Sequence, residues 1–91
     1  MKKSDFVRLA AIQAEMSQKD IERAMDAIFS SLTDVLAMQD KLTIPGFGTF
    51  DTRQRAERTG HLPSTGASIS IPAAIVPVFK PAKQLKERLN P

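Results

Sequence analysis

Cysteine is absent from this 91-residue chain, and histidine occurs once, at position 61. The first absence excludes disulfides and thiolate chemistry, and a lone histidine with no cysteine leaves no donor set for zinc. No run approaches the ~18 apolar residues that span a bilayer. The N-terminus carries Lys2 and Lys3 but no apolar stretch of signal-peptide length, so the chain reads as cytoplasmic. Internal repeats, low-complexity segments and linkers are also missing. Ninety-one residues fit one domain with no second core. A chain of this size buries roughly 60 to 65% of its unfolded surface, so pairing with a second copy is expected to complete the fold.

Catalysis lacks its materials too. Ser and Thr are scattered, His61 has no carboxylate close in sequence, and the acidic residues sit mostly on the outer face of the first helical segments as solvated charges. No paired carboxylates, activated nucleophile or metal cluster emerges, and neither an enzyme nor a cofactor or small-molecule substrate is expected. The Gly46-Phe47-Gly48-Thr49-Phe50 segment contains GxG, but Asp51 stands where a dinucleotide loop needs its third glycine, and a strand rather than a helix follows. A turn with core aromatics is the better reading.

Thirteen Lys and Arg face ten Asp and Glu, a net charge of +3. The distribution is more informative. Residues 1–45 hold six basic and seven acidic side chains, whereas 46–91 hold seven basic and three acidic. That asymmetry points to an anionic partner held by the C-terminal half.

Apolar spacing predicts a helix from about Ser4, its expected N-cap, to Glu15. Ser17 with Asp20 three residues on resembles a capping box with the shorter carboxylate, and it opens the strongest periodic signal. Ile21, Ala24, Met25, Ile28, Phe29, Leu32, Val35 and Leu36 form a stripe along about six turns. Packing in the protein's own core is preferred for this stripe over docking on a partner helix. The period then changes to two at Leu42 and Ile44, with a turn at Pro45-Gly46.

From Gly46 to Pro81 the chain reads as a long two-stranded ribbon whose tip is Leu62-Pro63-Ser64-Thr65-Gly66. Asp51, Arg53 and Arg55 share one strand face, and Phe50, Thr52 and Gln54 the other. Pro72 and Pro77 fit positions that donate no ladder hydrogen bond. Pro81 suits a first helical position, with Leu85/Leu89 and Lys83/Glu87 supporting a short terminal helix. Arg53 and Arg55, with Arg58 beyond them, and Lys80, Lys83 and Lys86 at the ribbon's base, form a band able to neutralise successive phosphates. Pro63 at the tip has a conformational role in the turn, or it is an apolar wedge for a DNA base step, which kinks the duplex by roughly 20 to 90°.

Three motifs in this order, GFGTF at 46–50, P-x-T-G at 63–66 and VPVFKP at 76–81, make the chain resemble the bacterial histone-like HU and integration host factor family, with the likeness running from Lys3 to Lys86. The resemblance implies an α+β fold: an intertwined dimer with a helical body, a small antiparallel sheet, a long β-ribbon arm per chain and a short C-terminal helix. Residues 1–45 would form the helical dimerisation body, 46–81 the sheet and DNA-binding arm, and 82–91 the last helix, all in one domain. The expected dimer core is Phe29, Leu32 and Leu36 with the aromatics Phe47, Phe50 and Phe79. Arg53, Arg55 and Arg58 would follow the DNA backbone, Pro63 beside Leu62 would be the wedge, and Lys3, Lys80, Lys83 and Lys86 would meet phosphates from the body. Gly46, His61 and Thr65 complete the expected DNA-facing set.

The implied function is architectural: binding, bending and compacting double-stranded DNA through the minor groove, largely without sequence preference, in the nucleoid. Bent, nicked or distorted DNA would be preferred. The partner chain is a second copy or an HU-like homologue.

The departures from the family are specific. Family arms commonly read R-N-P at the tip, where this chain has His61-Leu62-Pro63, and they carry lysines in the return strand, where it has Ala67, Ser68, Ser70 and Ile75. Arm binding is therefore expected to be weaker and less salt-sensitive, because each missing phosphate contact lowers the salt slope by about 0.9. The same neutrality supports the rival reading, a dimerisation or regulatory partner with weak DNA binding of its own.

Overall fold

The computed structural model describes residues 1–91. The order is α1 (Lys3–Ala14), α2 (Gln18–Ala37), β1 (Leu42–Ile44), β2 (Gly48–Arg55), β3 (Arg58–His61), β4 (Ser68–Ile71), β5 (Ala74–Pro81) and α3 (Lys83–Leu89). Three helices with two small antiparallel sheets make an α+β fold. The chain forms two compact units, Met1–Asp34 and Val35–Pro91.

In the first unit, α1 begins slightly earlier than its sequence suggests. Lys2 is the extended N-cap residue, its backbone N–H donating to Asp5 Oδ2 at 3.0 Å, and Ser4 is already helical. The carboxylate wins the position because it also complements the positive helix end. The chain leaves α1 through Glu15 in the left-handed region at φ 54°. Ser17 then caps α2 as its spacing predicts, its Oγ accepting the Asp20 N–H at 3.1 Å. Val7, Ala11 and Ile21 are buried, with Ala10 and Met25 packed against them.

These three are the only buried hydrophobic residues that the single chain contains. The α2 stripe is helical as expected, but the expectation that the chain covers it in its own core is not met. Ile28 is 61% and Phe29 50% exposed, while Leu32, Val35 and Leu36 are half-covered.

In the second unit, β1, β2 and β5 form one sheet in that order, and β3 with β4 forms the other. Leu42 pairs with Phe50 and Ile44 with Gly48, closed by the Pro45-Gly46 turn, where the Phe47 N–H donates to the Ile44 carbonyl at 3.0 Å. The long hairpin keeps a single register. Gly48 opposes Pro81 and Arg55 opposes Ala74; after two unpaired residues on each side, Arg58 opposes Ile71 and His61 opposes Ser68. Residues 56–57 and 72–73 are thus an interruption without a slip. Pro72 has no N–H to give a ladder and sits where pairing lapses, while Pro77 opposes Thr52 on the outer strand of the sheet. The ribbon proper starts at Gly48 rather than Gly46. Pro81 closes β5 instead of opening the last helix, whose N-cap is Ala82.

Antiparallel pairing in one register assigns each ribbon side chain to a face. Phe50, Thr52, Gln54, Arg58 and Gly60 share one with Phe79, Pro77, Ile75, Ile71 and Ile69. The other holds Thr49, Asp51, Arg53, Arg55, Glu57, Thr59 and His61 with Lys80, Val78, Val76, Ala74, Ser70 and Ser68. Contacts agree with this division: Ser70 Oγ donates to Glu57 Oε1 at 2.9 Å on the polar face. On the apolar face, a Cβ built on Gly60 would lie 3.1 Å from Ile71 Cδ1.

Candidate nucleic-acid interface

The polar face of the ribbon gathers most of the charged side chains of residues 46–81. Arg53 is exposed on β2, Lys80 is exposed on β5, and both lie on the same face as His61 near the tip. Lys80 Nζ lies 3.9 Å from Asp51 Oδ2, a loose surface pair of little energetic weight. Arg58 is exposed too, but register puts it on the opposite face beside Ile71, so the three arginines do not form one row.

Arg55 is held differently from Arg53. It is half-buried, and its Nη2 donates to the Pro72 carbonyl at 3.2 Å. Its Nε is sealed from water without a hydrogen-bond partner. A guanidinium held this way is turned toward its own chain.

Beyond the interruption, no Asp, Glu, Lys or Arg occurs from Thr59 to Phe79. The tip is closed by backbone bonds: Leu62 N–H to the Ala67 carbonyl at 2.9 Å and Gly66 N–H to the Leu62 carbonyl at 2.7 Å. Thr65 Oγ1 accepts the Ala67 N–H at 3.3 Å, so this expected DNA-facing hydroxyl also shapes the turn. Gly66 takes φ 72°, which a side chain would strain. This turn leaves Leu62 39% exposed, with Pro63 exposed next to it.

Lys83 and Lys86 project from α3, exposed, with Lys83 Nζ 3.7 Å from Glu87 Oε1 at the predicted i, i+4 spacing. Gly46 occupies the β1–β2 turn at φ 80° with open space around it. Lys3 belongs to the helical unit. Its Nζ donates to Asp26 Oδ1 at 2.8 Å, and that hydrogen bond, reinforced by the carboxylate charge, raises its pKa above the usual lysine value. Asp26 was not singled out by sequence reasoning, which saw it as a solvated charge; no local pattern links residues 23 apart.

The expected dimer core divides in the same manner. Phe47, Phe50 and Phe79 cluster with ring centroids 4.9 to 6.3 Å apart. Yet Phe47 is 44% and Phe79 41% exposed. Gly48 makes this cluster possible, because a Cβ there would fall 2.6 Å from both the Lys80 carbonyl and a Phe79 ring carbon.

Comparison with known proteins bears on all of these elements. The model of a family described as bacterial DNA-binding protein matches residues 1–90. The chain is similar to the protein named DNA-binding protein HU-1 of Halalkalibacterium halodurans, 47% identical over 90 residues, covering 99% of this chain and all of that protein. It is 44% identical over 90 residues to DNA-binding protein HU of Geobacillus stearothermophilus, with the same coverage. Among solved structures, an Anabaena HU–DNA cocrystal structure superposes with a TM-score of 0.93 at 32% identity, covering 100% of this chain and 99% of that one. HU from Thermotoga maritima gives 0.70 at 29% identity, covering 98% of each.

Proposed function

The chain belongs to the HU family of bacterial DNA-binding proteins, and from that premise we propose that it is an architectural protein that binds and bends double-stranded DNA as a dimer. The observation that carries this reading is the ribbon itself, which has a polar face presenting Arg53 and Lys80, an exposed apolar tip and a second face on which Phe79, Ile75 and Ile69 are uncovered. The fit to a relative crystallised with DNA supports it.

Phosphate contacts fall to Arg53, Arg58, Lys80, Lys83 and Lys86, with Lys3 after release from Asp26, and with Gly46, His61 and Thr65 near the backbone. Leu62 and Pro63 part a base step from the minor groove and pay for the unstacking with a tighter wrap. Sequence preference then comes from how easily DNA deforms, so nicked or bent duplex binds best. The location that follows is the nucleoid, and no helix of the chain is long and apolar enough to cross a membrane.

Dimerisation is supported by what one chain leaves open: the α2 stripe around Ile28 and Phe29, and the Phe47–Phe79 cluster. These side chains are already about half covered, so burying the remainder against a second copy contributes roughly 1 kcal/mol each. Residues 1–45 act as the body, 46–81 as sheet and arm, and 82–91 as a basic terminal helix, within one DNA-binding domain. The neutral distal arm favours the rival reading of a partner chain that binds DNA poorly alone. Gel-shift titration of the purified homodimer on nicked and intact duplex near physiological salt separates them. Binding to nicked duplex at lower concentration is expected; no binding to either leaves the rival.

A further inference from the structure

We propose that Arg55 is not a phosphate contact but a positioning residue: its guanidinium clips the distal half of the arm to the sheet across the interruption in the ribbon. The proposal rests on the DNA-binding reading above for its consequence, and on geometry for its cause.

The interruption is built to flex. Two consecutive positions on each strand, 56–57 and 72–73, lack ladder pairing although the register on both sides is continuous. Pro72 brings no N–H to this stretch. Two of the four side chains at these positions are alanines, and Ala56, Ala73 and Ala74, with Gln54, Arg55 and Ile75, line an open cavity of about 470 Å³. With no ladder bonds at this level, the joint is held by side chains.

Two side chains bridge the joint: Glu57, which accepts from Ser70 Oγ at 2.9 Å, and Arg55, which comes from the sheet side. Arg55 ends β2 opposite Ala74 and reaches back across to the Pro72 carbonyl, one residue beyond the end of β4. The bond is charge-assisted, and such bonds to an ionised donor are stronger than neutral ones. Burial of Nε without a partner shows that this one nitrogen of the guanidinium has given up solvent for the position. An unsatisfied buried donor is costly, so it is held by the rest of the arrangement. Arg53, two residues earlier on the same face, is exposed and engaged in no such bond, and it is the natural internal control.

The consequence is a pre-organised arm. Holding the distal ribbon at one angle reduces the ordering that DNA must impose on residues 58–71, which raises affinity without adding a phosphate contact. The two roles predict different salt behaviour. A phosphate contact contributes to counterion release, whereas a clip changes affinity equally at all salt concentrations.

The test compares wild type, Arg55→Ala and Arg53→Ala as full-length dimers. Log Kd is followed against log[salt] on nicked duplex, and backbone ¹⁵N relaxation is measured on the free proteins. Arg55→Ala is expected to weaken binding by about fivefold across the salt range with an unchanged slope, whereas Arg53→Ala lowers the slope by about 0.9 per chain. In the free protein, Arg55→Ala lowers order parameters across Thr59–Ser70 and leaves Thr49–Arg53 as in wild type; Arg53→Ala changes neither. A slope loss like that of Arg53→Ala, or unchanged order parameters in the distal arm, overturns the proposal. If wild type binds no DNA, the functional reading fails, and relaxation alone still decides whether the clip exists.

Discussion

Placing one lysine at Ser68 tests the two-faced reading of the arm quantitatively. Ser68 is exposed, opposes His61 and lies on the same face as Arg53 and Lys80, in a stretch from Thr59 to Phe79 without formal charge. If that face follows the phosphates, Ser68→Lys adds about one contact per chain. The slope of log K against log[salt] then steepens by about 0.9 per chain, or about 1.8 for a dimer. Between 50 and 200 mM salt, that slope difference corresponds to an additional loss of roughly twelvefold in affinity. Two neighbours serve as controls. Ser70→Lys should steepen the slope less, because Ser70 already donates to Glu57 at 2.9 Å and a lysine there meets that carboxylate first. Ile69→Lys lies on the opposite face beside Gly60 and should change the slope least. Fluorescence anisotropy on a labelled nicked duplex across a salt series reads all three. Equal steepening at 68 and 69, or none at 68, refutes the assignment of faces.

Three further outcomes follow from named contacts. Asp26→Asn removes the negative charge that holds Lys3 at 2.8 Å and leaves only a neutral amide acceptor, so Lys3 is freer to reach phosphate; the salt slope should steepen by up to about 0.9 per chain, and an unchanged slope would count against a Lys3 contact with DNA. His61→Arg puts a permanent cation on the polar face close to the tip, opposite Ser68. The slope of log K against log[salt] should steepen by about 0.9 per chain, and an unchanged slope would place the tip away from phosphate. Gly48→Ala forces a Cβ to within 2.6 Å of the Lys80 carbonyl and the Phe79 ring, and backbone cannot yield cheaply there. A loss of about 1–3 kcal/mol is expected, read as a fall in Tm of roughly 5–15 °C; an unchanged Tm would contradict the close approach.

Periodicity made the helices and the alternating strands legible because each is a local pattern repeated over several turns or pleats. Ser17 declared its cap for the same reason. Motif order carried the family, and the alternation of Arg53 with Arg55 carried the polar face. What stayed hidden depended on pairing across the chain. The sequence places Arg58 only beyond Arg53 and Arg55 in a basic band; the register puts it past two unpaired positions and on the other face. Pro81 looked like a helix start, but its place opposite Gly48 ends the ladder first. The Lys3–Asp26 bond and the Pro72 carbonyl under Arg55 involve partners 23 and 17 residues apart, which no local spacing announces. Exposure of the α2 stripe was hidden for another reason. Periodicity says that a face is apolar and is silent about whether the chain itself covers it.

The central claim is that a dimer bends DNA by inserting the Leu62-Pro63 tips. End-to-end fluorescence transfer on a doubly labelled duplex, titrated with the protein to saturation, tests it most directly. The account predicts that the ends draw together as the protein binds and that Leu62→Ala with Pro63→Ala largely abolishes the approach while leaving much of the binding. Saturated binding with no change in end-to-end distance would contradict it.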